Sequence, residues 1–353
     1  MSARPANAFR RKPSQQGTAI NDVDTGATWR RLLSGNWVGI VVATILLFAL
    51  SPTIAHGSLG SAPLLSMLPF AAVLAIAAAG QTLVVQQRGL DLSVPGMIAL
   101  AAVLCTCTVQ YHGWPTWLAI TVAVAAPGLV GLVNGVLVAV ARVMPLVVTL
   151  GMNAVLLGTV LKISGGSPAT APTSLSQFSV DRTLGIPNTL LIAVVVLAVG
   201  GLVAKRSAVG RRLTYIGVSV PTASALGIRV TRYQVVAYGF AGLAYGAAGV
   251  LLAGYTRTPG LFIGDSYVLP TVAAVVLGGT AMTGGVASIV ASGVGALFLT
   301  QLGQLLRSLG WNDAQQLIAQ AAVLAAVVLV REAAPALRGL ARGRRRRAVP
   351  AAG

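Results

Sequence analysis

Long apolar stretches separated by short polar connections dominate the chain between residues 37 and 330. A helix needs about 20 residues to cross the roughly 30 Å hydrocarbon core of a bilayer. The pattern predicts ten such helices, at residues 37–54, 68–85, 94–109, 117–140, 144–161, 186–203, 234–253, 268–282, 286–305 and 314–330, of which the third and the eighth are short. The predicted fold class is therefore an all-α integral membrane protein with about ten transmembrane helices.

Composition and charge agree with this class. Charged residues make up 9% of the chain and hydrophobic residues 56%, whereas a soluble domain has about 25% charged residues. The formal net charge of +18 would suggest nucleic-acid binding in a soluble protein. Here the Lys and Arg residues lie almost wholly between and beyond the apolar stretches, so we interpret them as topology signals and predict no nucleic-acid partner.

Three basic segments set the predicted orientation. Six Lys or Arg residues precede residue 37, six lie in 204–233 without an acidic residue, and seven follow residue 330. Positive residues concentrate in cytoplasmic segments, so all three are predicted to face the cytoplasm. Ten helices then leave 21 positive residues inside and 4 outside, with both termini cytoplasmic.

The predicted domains are a disordered basic arm at 1–36, a ten-helix transmembrane domain at 37–330 with a cytoplasmic loop at 204–233, and a basic tail at 331–353. We interpret the first apolar stretch as a retained anchor, because the basic segment before it is long for a signal peptide. Cleavage near Ala55 is the alternative.

Glycine and proline interrupt the two short helices, with Pro95 and Gly96 in the third and Pro270, Gly278 and Gly279 in the eighth. Irregular backbone at membrane depth is tolerated where it is buried in protein or lines a wet cavity. Paired interruptions in two halves of a chain are typical of inverted repeats in transporters. We therefore predict that helices 7–10 repeat helices 2–5.

An acidic residue, Asp91, stands at the entry of the third helix in the motif Gly-Leu-Asp-Leu-Ser (89–93). Asp91 or Ser93 is expected to cap that helix, and a role in a wet pathway is the alternative. The blocks GLVNG (131–135), PLVVTLG (145–151) and VLGGTAMTGG (276–285) follow in this order. Together the four motifs resemble those of ribose-type ABC-transporter permeases.

The resemblance covers nearly the whole apolar body. It implies the membrane-spanning permease subunit of an ATP-binding-cassette importer in the cytoplasmic (inner) membrane of a bacterium. Such a subunit translocates a small polar solute, expected to be a monosaccharide, by alternating access. The implied partners are a separate ABC ATPase, a soluble or lipid-anchored solute-binding protein, and a second permease that is identical or different. ATP and Mg²⁺ would bind to the ATPase, so no cofactor, catalytic residue or metal site is expected in this chain.

The cytoplasmic segment 215–228 is similar to the family's coupling region, a short helix that docks into the ATPase. The resemblance implies coupling roles for Gly217, Ser219, Ala223, Gly227 and Ile228. The sequence departs from the family pattern at three positions: Ser219 replaces the usual Asn, Pro221 an acidic residue and Thr222 an Ala.

Neutral polar residues inside the predicted helices either join helices or line a path for a polyhydroxylated solute. Candidate path residues are Gln81, Asp91, Ser93, Asn134, Thr149, Asn153, Thr280 and Gln301. For any one of them, helix packing is the favoured interpretation.

Two other functions are open to a protein of this class. An ion- or proton-coupled secondary transporter would act without an ATPase and would use Asp91 as its coupling carboxylate. Such carriers usually bury several ionisable residues, and Asp91 stands almost alone. A membrane-embedded enzyme is disfavoured because no His/Asp/Glu cluster occurs within the spans. The chain has no G-x-x-x-x-G-K-[ST] phosphate loop, so an ATP-driven mechanism needs a separate subunit.

Overall fold

Helices form most of the chain in the computed structural model, which describes residues 37–327 and residue 329. They are α1 (Val38–Ile54), α2 (Ser61–Gln86), α3 (Val94–His112), α4 (Thr116–Ala139), α5 (Pro145–Ser164), α6 (Thr173–Val180), α7 (Asn188–Arg206), α8 (Ala208–Val218), α9 (Val220–Ala225), α10 (Val230–Thr256), α11 (Val268–Leu277) and α12 (Ile289–Ser308), with a further helical run at 313–327. Within this part of the chain, extended structure is limited to the antiparallel pair β1 (Arg182–Thr183) and β2 (Ile186–Pro187). The predicted arm at 1–36 and tail at 331–353 lie outside the described residues.

Each of the ten predicted spans coincides with a helix, which confirms the all-α membrane class. Seven helices in the described residues are long and apolar enough to cross a bilayer. Their ends follow local sequence rules. Pro95 occupies the first turn of α3 and Pro145 begins α5, where a missing N–H costs nothing. Gly113 and Gly165 end the same two helices in the left-handed conformation, with φ of 65° and 61°.

Both predictions about the short helices needed correction. The third helix extends to His112 and has 19 residues, enough to cross. The eighth stops at Leu277 rather than at residue 282, because the chain turns at Gly278 and Gly279, the latter with φ of 90°. The ten residues of α11 span about 15 Å, half of the hydrocarbon core. Residues 278–288 continue the chain without α-helix. Gly278, Gly279 and Thr280 are buried in protein, whereas Met282 and Val286 are exposed.

Helix contacts agree with the predicted repeat for the first three helices of each half. Helix α4 of the first half packs on α10 of the second, and α12 of the second half packs on α2 of the first. Likewise α3 contacts α4 and α10, while α11 contacts α12 and α2. The equivalent long helices also end alike, because Arg88 after α2 and Arg257 after α10 both have a φ of 65°.

Small residues let the central helices approach closely. A Cβ atom at Gly131 of α4 would lie 2.2 Å from the carbonyl oxygen of Tyr238 in α10, and one at Gly242 would lie 2.1 Å from that of Pro127. Backbone contact of this kind is typical of helix pairs in membranes. The buried core lies among α2, α3, α10, α11 and α12, whereas α4, α5 and α7 expose much of their apolar surface.

Candidate functional site: the coupling hairpin, the clasp and the polar network

Two short helices, α8 and α9, form a helical hairpin over residues 207–228, named here the coupling hairpin. With 11 and 6 residues, neither can cross a bilayer. Ser219 separates them in an extended conformation, and its hydroxyl accepts hydrogen bonds from the Thr222 N–H at 3.3 Å and the Thr222 hydroxyl at 2.9 Å. Ser and Asn are both good N-cap residues, so the departure from the family's Asn at this position keeps the cap.

The predicted coupling residues determine how the hairpin folds more than they contribute to its exposed surface. Ala223 and Gly217 are buried, and Gly227 has a φ of 74°. Ile228 is half-buried, and its N–H donates to the Ala223 carbonyl at 3.1 Å. The hairpin's large exposed apolar side chains include Tyr215, Val218 and Leu226, which are 52%, 59% and 64% exposed. Sequence analysis missed these three residues, although apolar residues in a basic, polar segment were the available signal.

Three chain segments meet at the inner end of the hairpin: residues 86–88 at the end of α2, residues 217–218 at the end of α8, and the glycine turn 284–285 before α12. We call this junction the clasp. Arg88 donates from Nε to the Gly217 carbonyl at 2.8 Å and from Nη2 to the Val218 carbonyl. These carbonyls form the negative end of the α8 dipole, so a guanidinium group there is favoured electrostatically.

Gln86 ties the glycine turn into the same junction. Its backbone carbonyl accepts a hydrogen bond from the Gly285 N–H at 2.9 Å, and its side-chain amide donates to the Thr214 hydroxyl of α8 at 3.1 Å. The packing leaves no room for side chains. A Cβ at Gly217 would lie 2.0 Å from the Gln86 carbonyl oxygen, and one at Gly284 would lie 2.7 Å from that of Gly217. The clasp therefore joins α8 directly to backbone of both repeat halves.

Behind the clasp lies a buried polar network in the connection 87–93. Asp91, 1% exposed, accepts hydrogen bonds from the backbone N–H and the hydroxyl of Ser93. Asn134 of α4 donates to the Ser93 hydroxyl at 3.0 Å. Burial raises the pKa of Asp91 to about 6, and the hydrogen bonds from Ser93 act in the opposite direction. Among the described residues, Asp91 Oδ2, Asn134 Oδ1 and the Tyr238 hydroxyl have no hydrogen-bond partner.

The predicted cap of the third helix was wrong. Ser93 is the N-cap residue of α3, but its side chain accepts no capping hydrogen bond, and Asp91 accepts from the N-cap residue itself. The free N–H of Gly96 is instead satisfied by the Asn153 side chain of α5, at 2.8 Å. A cap from a distant helix depends on tertiary packing, which local sequence rules do not contain.

Of the remaining candidate path residues, Gln81 and Gln301 bond to other helices and Thr149 bonds within its own helix. The Thr280 hydroxyl has no hydrogen-bond partner among the described residues. Gln81 accepts from the Tyr245 hydroxyl at 2.7 Å, Gln301 donates to Ser51 at 2.9 Å, and the Thr149 hydroxyl donates to the Pro145 carbonyl at 2.9 Å. All eight candidates except Asn153 are at most 1% exposed. These contacts suit helix packing, and a role in a solute pathway stays a prediction.

Comparison with known proteins places this geometry in context. Residues 63–330 match the family described as branched-chain amino acid transport system / permease component. The chain is 30% identical to the ribose import permease protein RbsC of Escherichia coli K12, over 82% of this chain and 92% of that protein. It is also 30% identical to the fructose import permease protein FruF of Bifidobacterium longum, over 91% and 94%. The autoinducer 2 import system permease protein LsrD of Salmonella typhi is 33% identical over 71% and 77%. No solved structure gives a significant match.

Proposed function

Since the chain belongs to the family of monosaccharide-type ABC-importer permeases, we propose that it imports a monosaccharide by alternating access driven by a separate ATPase. The substrate class rests on the relatives named for ribose and fructose import. The chain itself is a non-catalytic, multi-pass subunit of the cytoplasmic membrane, with both termini on the cytoplasmic side. ATP and Mg²⁺ bind to the ATPase subunit.

The clasp is the observation that carries this proposal. The ATPase docks on the exposed Tyr215, Val218 and Leu226 of the coupling hairpin. Movement of the hairpin then pulls on the end of α2 through Arg88 and on the glycine turn before α12 through Gly285. Because α2 and α12 belong to different repeat halves, one docking event acts on both halves together.

Two further partners complete the proposed importer. A second permease, identical or different, packs against α5, whose outer face is exposed and whose Gly151 and Gly158 have no atom within 4 Å of an added Cβ. Uncrowded glycines permit close helix approach. A solute-binding protein delivers the sugar at the opposite face of the membrane, where α6 and the β1–β2 turn lie in the predicted topology.

A matched pair of charge substitutions tests the docking surface. We expect Leu226→Asp to abolish co-purification of an ATPase with tagged protein from detergent-solubilised native membranes, because a carboxylate cannot be desolvated in an apolar contact. Leu184→Asp serves as control for ATPase recovery alone, since Leu184 is 96% exposed in the β1–β2 turn, away from the hairpin. Uptake of ribose and fructose into proteoliposomes is measured in parallel, with ATP or with an ion gradient.

Loss of ATPase recovery in Leu226→Asp but not in Leu184→Asp, together with loss of ATP-driven uptake in Leu226→Asp, would support the importer. A wild-type protein that recovers no ATPase and accumulates sugar under an ion gradient would instead establish the secondary transporter. Equal ATPase recovery in the two variants would show that Leu226 has no special docking role.

A further inference from the structure

An apolar groove of about 430 Å³ opens on the surface of the protein between α2, α7 and α10. Its lining includes Leu83, Val199, Gly200, Val236, Phe240 and Ile289. None of the residues that line the groove carries a charge. Phe240 and Val199 are 59% and 56% exposed on helices that cross the membrane, so the groove opens toward lipid.

At the coupling-hairpin end the groove continues into a cationic pocket of about 580 Å³. Arg212 of α8 and Arg229 and Arg232 near the start of α10 line this pocket, and its described lining contains no carboxylate. The two cavities share four lining residues: Val209, Tyr233, Val236 and Phe240. The groove and the pocket are therefore one continuous site with an apolar arm and a cationic end.

The cationic end is partly ordered before any ligand binds. The Arg212 guanidinium lies 5.8 Å from the centre of the Tyr233 ring and donates a hydrogen bond to the Tyr233 hydroxyl. Tyr233 itself stands where the groove meets the pocket. A guanidinium group fixed over an aromatic ring still offers N–H donors to an anion.

We propose that this continuous site binds one anionic phospholipid, with an acyl chain in the groove and the phosphate headgroup on Arg212, Arg229 and Arg232. Arginine forks match phosphate oxygens, and basic pockets between transmembrane helices on the cytoplasmic side suit anionic headgroups. A soluble protein partner would fill the cationic pocket but not a groove that opens laterally to hydrocarbon. The site also adjoins the coupling hairpin through Leu226 and Gly227, so the lipid would brace the segment that receives the ATPase.

The experiment measures binding of phosphatidylglycerol and phosphatidylcholine to the delipidated full-length protein by native mass spectrometry. We expect tighter binding of phosphatidylglycerol, and a loss of roughly fivefold for each of Arg212→Gln, Arg229→Gln and Arg232→Gln. Arg211→Gln is the matched control, because Arg211 precedes Arg212 in α8 but does not line the pocket. Gly200→Leu fills the groove without a close contact, since the added Cβ stays 3.4 Å from Ile289. Gly39→Leu is its control on open surface of α1.

Loss of phosphatidylglycerol binding in the pocket and groove variants, with both controls unchanged, supports the site. Equal binding of the two lipids, or an equal loss in Arg211→Gln, would overturn it and indicate a diffuse charge effect. Lost ATPase recovery with unchanged lipid binding in the arginine variants would assign the pocket to the ATPase. Loss of permease dimers with unchanged lipid binding in Gly200→Leu would assign the groove to a second copy.

Discussion

Arg88 is the residue whose removal tests the clasp most directly. Its partly buried hydrogen bond to the Gly217 carbonyl contributes about 1.5–3 kcal/mol, the usual range for a charged donor. The exposed bond to the Val218 carbonyl adds less than about 1 kcal/mol because water screens it. Arg88→Ala therefore weakens the closed clasp by about 2–3 kcal/mol, which is roughly a 30- to 150-fold shift toward the open clasp.

Alanine is the informative substitution at this position. Arg88 has a φ of 65°, and Ala keeps the same backbone strain, whereas Gly would relieve it and confound the measurement. Arg88→Lys keeps the charge but has one donor nitrogen in place of the spaced Nε and Nη2 of the planar guanidinium, so we expect an intermediate effect.

The assay compares sugar uptake with ATP hydrolysis in proteoliposomes that contain the permease and its ATPase. We expect Arg88→Ala to hydrolyse ATP while importing at least about tenfold less sugar per ATP, since the weakened clasp no longer transmits the movement of the hairpin. Arg142→Ala is the control, because Arg142 has a similar φ of 56° but follows α4, away from the clasp. An unchanged ratio of uptake to hydrolysis in Arg88→Ala would refute the proposed transmission through Arg88.

Two more predictions concern the clasp and the network behind it. Gly217→Ala should lower the free energy of unfolding by about 1–3 kcal/mol through overpacking, because its Cβ would lie 2.0 Å from backbone. Gly39→Ala on open surface of α1 should not lower it. Burial raises the pKa of Asp91 from 3.8 to about 6 in the folded state, so the protonated carboxyl favours folding. This contribution to the free energy of unfolding is complete below pH 3.8 and is lost as the pH rises to about 6. Asp91→Asn should therefore unfold at a higher temperature than wild type above about pH 6, with a difference that shrinks toward pH 3.8, as thermal unfolding across this range would test. ATP-driven uptake should survive in this variant, whereas loss of gradient-driven uptake would support the secondary transporter.

The sequence predicted the helices well because a bilayer imposes a strong and simple constraint. A run of about 20 apolar residues has few alternatives to a spanning helix, and the positions of all ten predicted helices are confirmed. The end of α11 was placed five residues too late, since an apolar window does not register that Gly279 turns the chain at a φ of 90°. Short helices such as α6 and α8 were not bounded by the apolar pattern, because they do not cross the membrane.

Long-range contacts limited the prediction of the site. Arg88 was counted only as a topology charge, and Gly284 and Gly285 only as the end of the motif at 276–285, yet these residues meet the coupling hairpin. Their sequence separation from Gly217 exceeds 60 residues on either side, so no local pattern could pair them. The same limit explains Asn153, whose capping contact with Gly96 depends on the packing of α5 against α3.

The repeat also explains why, in the proposed mechanism, the movement caused by the ATPase reaches the transmembrane helices only from the face that carries the coupling hairpin. Arg88 and Arg257 end equivalent long helices with the same φ, but at opposite ends of the transmembrane domain. The side chain of Arg88 holds the coupling hairpin, whereas the carbonyl of Arg257 accepts a hydrogen bond from the Ala171 N–H in the connection before α6, at 2.7 Å. Between these ends α2 and α10 pack closely, because a Cβ at Gly80 would lie only 3.0 Å from the Ala241 carbonyl. In the proposed mechanism this rigid pair therefore carries a displacement from the clasp to the external connection, so that one face closes as the other opens.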